Sequence, residues 1–182
     1  MRHPLRWVAL AVGVVVAVFA VILAVNVGTD PRAAANKSAL VGEPSPELRL
    51  TRFDGTKITS ADLAGKTVLV NFWNTWCRPC AQELPALQQW YAQHRDDPDV
   101  VLLGVPRDEP SSRALRQAVA DDQMGWAVAD DGGAEAATLD FGTRGQPETY
   151  VISPSGIVAG SYFGPATVKI LDQMVAGGQR VG

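Results

Sequence analysis

Cysteine is nearly absent from this 182-residue chain: there are two, and both fall in one four-residue run, Cys77-Arg78-Pro79-Cys80. A disulfide framework that staples a small fold needs several cysteines spread along the sequence, and none lies outside the run. A structural zinc site needs two further Cys or His ligands, and no second pair exists. Histidine is as scarce. His3 and His94 stand far apart, so a His-rich metal centre and a Ser/His/Asp apparatus both lack their parts, and no metal or other cofactor is implied. Excess charge is missing too: 16 Lys and Arg against 19 Asp and Glu leave a net charge of −3, which excludes a strongly basic nucleic-acid binder and an acidic tail. The length holds one ordinary domain plus an appendage, and a hydrophobic share of 47% supplies a core.

The appendage is at the start. After Met1-Arg2-His3-Pro4-Leu5-Arg6, the stretch from Trp7 to Val27 carries no charge. As a helix it would cover about 30 Å, the thickness of a bilayer's hydrocarbon core. A secretory signal has a shorter apolar stretch and a small-x-small cleavage site, whereas this run ends Leu23-Ala24-Val25-Asn26-Val27. A cleaved signal peptide is the alternative. Arg2 and Arg6 keep the N-terminus cytoplasmic by the positive-inside rule, which places everything after about residue 28 outside the cytoplasm. The expected organisation is a cytoplasmic end at 1–6, one transmembrane signal-anchor at 7–27, a linker at 28–42 and a folded domain at 43–182.

Within the domain, Leu48-Arg49-Leu50 and Thr56-Lys57-Ile58-Thr59 alternate around Asp54-Gly55, a hairpin signal. Thr67-Val68-Leu69-Val70-Asn71-Phe72-Trp73 reads as a strand buried on both faces, as does the run from Val100 to Val105. Ala81 to His94 has helical spacing, with Pro85 expected to kink it. Ser111 is placed to cap a helix running to about Asp121. Trp126–Ala129 reads as a short strand and 134–139 as a short helix. Thr149–Ile152 and Ile157–Ala159 should pair across Ser153-Pro154-Ser155-Gly156, before a last helix from about Ala166 to Ala176 that ends at Gly177-Gly178. This order predicts an α/β architecture, a mixed sheet with helices on both faces.

The spacing sets Cys77 at the junction of a buried strand and a helix, with Cys80 one turn on. Unpaired amides and the dipole at a helix N-terminus favour a thiolate, and thiolates there form at roughly pH 3.5–7.5 rather than about 8.5. Cys77 is therefore the expected attacking sulfur and Cys80 the resolving one, the two forming a redox disulfide. Arg78 adds positive charge beside them. Pro79 lacks an N–H that the first turn would leave unpaired.

The run Val70-Asn71-Phe72-Trp73-Asn74-Thr75-Trp76-Cys77-Arg78-Pro79-Cys80 resembles the active-site segment of thioredoxin-like proteins, most closely the anchored TlpA/ResA and cytochrome-c-maturation reductases. The likeness continues in Gly42-Glu43-Pro44-Ser45-Pro46, Gly65-Lys66, Glu83-Leu84-Pro85-Ala86-Leu87 and Gly145-Gln146-Pro147-Glu148-Thr149-Tyr150-Val151-Ile152, and covers about residues 41–176. It implies a thioredoxin-like fold with an N-terminal hairpin and a central insert at about 107–142. Pro147 is implied to be a cis-proline facing the sulfurs, with the backbone of Gln146 left to pair with an extended substrate strand; an ordinary trans turn proline is the alternative. Glu83 matches an acidic residue near the cysteines that tunes their titration or shuttles a proton, against a solvated helix glutamate. Trp76 is expected to cover the sulfurs unless it is a core tryptophan, and Glu148, which matches the pattern after the proline, is counted with Trp76, Gln146 and Pro147 among the expected substrate-binding residues. One departure stands out: thioredoxins carry a buried aspartate where this chain has Asn71, and an amide cannot take the proton that Cys80 releases.

The resemblance implies a protein-disulfide oxidoreductase that takes electrons from a transmembrane thiol donor and reduces an exported protein, typically apocytochrome c. An oxidase that installs disulfides uses the same atoms at a higher potential. A copper-delivery module would use the two thiolates without the usual Met or His neighbours. A peroxidase of the same fold has Pro-x-x-x-Thr-x-x-Cys, where this chain has Val70 and Asn74.

Overall fold

The apolar run Thr67–Trp73 is the strand on which the rest is built. In the computed structural model, which describes residues 7, 12–18, 38–107, 113–130 and 136–181, all seven of its residues are buried. Leu69 and Trp73 join the core on one face of the sheet, and Val68, Val70 and Phe72 the core on the other. A strand covered on both sides needs apolar side chains at nearly every position, and Asn71 is the polar exception in its interior, with Thr67 at its start.

In chain order the elements are β1 (Arg49–Arg52), β2 (Lys57–Thr59), β3 (Thr67–Trp73), α1 (Arg78–His94), β4 (Val100–Pro106), α2 (Arg113–Asp121), β5 (Ala127–Asp130), α3 (Ala136–Asp140), β6 (Glu148–Ile152), β7 (Val158–Phe163) and α4 (Val168–Val181). The strands form one seven-stranded sheet in the order β2-β1-β5-β4-β3-β6-β7. β3 pairs in parallel with β4, and β4 with β5, through the crossovers α1 and α2. The other pairings are antiparallel. Residues of α1, α2 and α4 pack on the Leu69 and Trp73 side, while Ala137 of α3 and Phe141 pack with Phe72 and Tyr150 on the opposite side. This is the thioredoxin-like arrangement, with hairpin β1–β2 turning at Gly55 (φ +86°) and an insert that supplies α2, β5 and α3.

Three boundaries differ from the sequence reading. Residues 38–42, expected in the linker, belong to the folded unit: Ser38 N–H donates to Ser161 Oγ (3.1 Å), Gly42 N–H to the Val158 carbonyl (2.8 Å), and Leu40 and Val41 pack on the second core. The helix expected from Ala81 starts at Arg78 and continues through Pro85. The last helix does not stop at Gly177-Gly178 but runs on to Val181. A Cβ on Gly178 would lie 2.8 Å from Val151 Cγ2 and 2.9 Å from Thr67 Cγ2, so this glycine admits the helix to the sheet rather than ending it.

Residues 1–36 form a separate unit. The expected membrane span at 7–27 lies mostly outside the described residues; within it Trp7 and residues 12–18 are helical. Among the described residues no helix is long and apolar enough to cross a membrane. Ser111, the expected cap of α2, also lies outside them.

Candidate active site

The cysteines sit where β3 gives way to α1. Cys77 is the N-cap of α1, with extended backbone (φ −83°, ψ 104°), and its Sγ accepts a hydrogen bond from the Cys80 amide at 3.1 Å. The two sulfurs are bonded at 2.06 Å. A helix N-terminus has amides without partners, and here one of them is aimed at the sulfur that becomes negative on reduction. Cys77 and Cys80 are 5% and 6% exposed. Around them Thr75, Trp76, Arg78 and Pro79 are exposed. Trp76 is therefore not a core residue: at 64% exposure it is an apolar surface beside the disulfide.

Glu83 follows Cys80 by three residues on the buried stripe of α1. Its side chain is 1% exposed, which rules out the solvated-glutamate alternative. Oε2 accepts from Asn71 Nδ2–H (3.0 Å) and Oε1 from the Ala166 amide (2.8 Å). Asn71 also donates to Thr149 Oγ1 at 2.9 Å. Burial raises the Glu83 pKa from an ordinary 4.5 to about 7, against the pull of those two N–H donors, which favour the carboxylate. Asn71 thus contributes as a donor that orients the acid on the neighbouring helix.

The loop before β6 comes to the same end of the sheet. The register pairs Phe72 with Glu148, so Pro147 and Gln146 arrive beside the end of β3, where the cysteines begin. The Gln146–Pro147 peptide is cis and Pro147 is buried. Gln146, half-buried, accepts from Arg107 Nη1–H (2.9 Å), and the Arg107 amide donates to the Trp73 carbonyl (2.9 Å). Glu148 corrects an expectation: it is fully buried and offers no surface to a substrate. Its carboxylate accepts from the Arg144 amide (2.9 Å), the Arg144 guanidinium (3.1 Å) and the Tyr150 hydroxyl (3.3 Å), so it holds the loop from behind. The Arg144 guanidinium lies over the Phe163 ring at 5.1 Å.

A cavity of about 40 Å³ opens beside Cys80 and Glu83, walled by Trp73, Asn74, Leu87 and Trp126. Asn74, Arg107 and Arg144 escaped the sequence reading. Arg144 is signalled only by its position four residues before Glu148, and Asn74 only by being a carboxamide between an apolar strand and the cysteines. Among the described residues no group of His, Cys, Asp and Glu is arranged to hold a metal ion.

This geometry suits dithiol–disulfide exchange, and comparison with known proteins agrees. The AhpC/TSA family pattern matches residues 41–161. The chain is 33% identical to the thioredoxin-like protein YneN of Bacillus subtilis over 132 residues, 72% of this chain and 76% of that one. It is 30% identical to the thiol:disulfide interchange protein DsbE of Pseudomonas aeruginosa over 179 residues, 97% of this chain and 93% of that one. The crystal structure of a thioredoxin-family thiol:disulfide interchange protein from Chlorobium tepidum superposes with a TM-score of 0.63 at 26% identity, covering 74% of this chain and 94% of that one. The chain belongs to the AhpC/TSA family, among its thioredoxin-like thiol–disulfide oxidoreductases.

Proposed function

We propose that the protein is a membrane-anchored reductase whose Cys77 attacks disulfides of exported proteins on the outer side of the cytoplasmic membrane. Cys80 resolves the mixed disulfide, and Trp76 and Gln146 form the surface on which the substrate segment lies, with the buried Pro147 behind it. The observation that carries the direction is the buried Glu83 one turn from Cys80. Strongly oxidising pairs owe their potential to a reduced form stabilised as thiolate. A carboxyl group that burial makes reluctant to ionise marks surroundings in which negative charge is costly, which weakens that stabilisation and lowers the potential. Support for the anchor is the uncharged run from Trp7 to Val27, together with a similarity to P. aeruginosa DsbE that extends over 97% of the chain. The substrate we assign is apocytochrome c and the electron source a transmembrane thiol carrier, following the family resemblance of the active-site segment.

Peroxidase chemistry does not fit, because Val70 and Asn74 stand where it needs Pro and Thr. Equilibration with glutathione tests the direction: the pair should have a potential below roughly −220 mV, and a value near about −120 mV would make the protein an oxidase. Labelling of the reduced cysteines in intact cells by a membrane-impermeant maleimide tests the location; labelling only after lysis would refute it.

A further inference from the structure

Asn74 is 2% exposed and follows the end of β3, three residues before Cys77. Neither its Oδ1 nor its Nδ2 has a hydrogen-bond partner among the described residues. A buried amide left unmatched is destabilising, and nearly all buried polar atoms have a partner in protein or water. Asn74 lines the cavity beside Cys80 and Glu83, as does Trp73, whose Nε1 is a second buried donor with no partner among the described residues. At about 40 Å³ the cavity is far too small for an organic cofactor. A water needs roughly 10–15 Å³ and two to four polar partners, so the space admits water.

The same space answers a need of the reaction. When Cys80 resolves a mixed disulfide, its S–H proton must leave while its sulfur bonds to Cys77 Sγ. The bond from Cys77 to the substrate sulfur breaks, and the substrate leaves as a thiolate carrying the electron pair. Glu83 can take the proton, but it is 1% exposed and both its oxygens already accept N–H groups. It has no direct path to solvent. We propose that the cavity holds a short file of water that carries the proton from Cys80 to Glu83 and on to solvent, and that Asn74 is the positioning residue that anchors it. The inference rests on Glu83 being the proton acceptor, as the resemblance implies. Asp122 is the other titratable residue on the cavity wall, with Cys80 and Glu83.

The test is single-turnover resolution in the full-length chain. Cys77 is loaded with thionitrobenzoate, and release of the coloured thiol is followed against pH. Asn74→Leu, branched at the same carbon but bulkier and without polar atoms, should resolve at least about ten-fold more slowly at pH 7, within the range a lost proton relay allows. The deficit should shrink as pH rises, because hydroxide then takes the Cys80 proton without the relay. Asn74→Ser, which keeps a hydroxyl and room for water, should recover most of the rate. A deficit equal at every pH would mark a packing defect and overturn the proposal. A slow Glu83→Gln beside a normal Asn74→Leu would overturn the water file and leave the acid's role standing; a normal Glu83→Gln would remove the acid's role and the water file with it. Should Asn74→Leu fail to fold, the wild-type chain decides: exchange cross-peaks between water and the Asn74 side-chain amide support the proposal, and a dry amide overturns it.

Discussion

Glu83→Gln should make the oxidised protein more stable at neutral and alkaline pH. In the folded protein burial raises this carboxyl from an ordinary 4.5 to about 7, so between those values the native state holds a proton that the unfolded chain has released. Stability then falls as pH rises through this window, is unaffected by Glu83 below about 4.5, and levels off above about 7. The gap corresponds to about 3 kcal/mol. A glutamine side chain at this position can replace the protonated acid without orphaning a donor. Its Oε1 keeps the Ala166 amide, and its Nε2 faces Asn71, whose amide can turn over to present Oδ1 while the Thr149 hydroxyl donates in place of accepting.

The assay is urea unfolding at a series of pH values, followed by tryptophan fluorescence. With a slope of about 1–3 kcal/mol per molar, the wild-type midpoint should drop by roughly 1–3 M between about pH 4.5 and 8 relative to the variant. Taking the difference cancels every group the two proteins share. The carboxylates held low by local hydrogen bonds, Glu47, Asp54 and Asp62, are exposed and act on the acid side, where stability is lost as pH falls. Two parallel curves would refute the reasoning, because they would mean that Glu83 is ionised in the folded protein as readily as in the unfolded chain.

Cys77→Ser should abolish exchange, whereas Cys80→Ser should trap a mixed disulfide with substrate, visible as a reducible adduct on a non-reducing gel. Asn71→Leu removes one donor from the Glu83 carboxylate and should move the acid's titration above about 7, read by the carboxyl infrared band; an unchanged band would show that the Ala166 amide alone suffices. Gly178→Ala should lower stability by about 1 kcal/mol, since overpacking against Val151 and Thr67 outweighs the gain in helix propensity. Gly177→Ala, where the nearest atom is Arg180 Nη2 at 3.9 Å, should stabilise by up to about 1 kcal/mol, so thermal melting of the pair separates packing from propensity. Glu148→Ala removes the carboxylate that faces the Arg144 amide and guanidinium and should cost about 2–4 kcal/mol, with slower exchange because the loop bearing Gln146 and Pro147 loses its support.

Much of this was legible because local patterns and tertiary structure agreed. The buried run Thr67–Trp73, the alternation around Asp54-Gly55 and the Cys pair after a strand each point to one conformation, and the sheet contains them nearly as read. The misreadings come from side chains whose meaning depends on a distant partner. Gly177-Gly178 has the look of a helix terminator, but the opposing atoms that require Gly178 lie on Thr67 and Val151, far back along the chain. Glu148 follows the loop proline and looks like a substrate contact; that it turns inward depends on Arg144 and on Tyr150, whose one hydroxyl proton is shared between Glu148 and the nearer Phe141 carbonyl. Asn74 escapes notice because nothing in a linear sequence shows that a carboxamide is sealed against a cavity.

The acid's identity was readable, but its poise was not, since four chain segments set it. Burial alone would hold Glu83 protonated and make it useless as a base at neutral pH; two N–H donors in an exposed setting would hold it ionised and make it too weak to accept a proton. Here α1 buries the carboxyl, β3 brings Asn71, the loop ahead of α4 brings the Ala166 amide, and β6 fixes Asn71 through Thr149. The opposing effects meet at about 7, where a general acid–base group works best because it is half in each form at neutral pH. An aspartate at position 71 would place a second carboxyl against the first and drive their titrations apart. The amide in that strand is therefore what allows a single acid on the helix to be shared, at neutral pH, between giving up a proton and taking one.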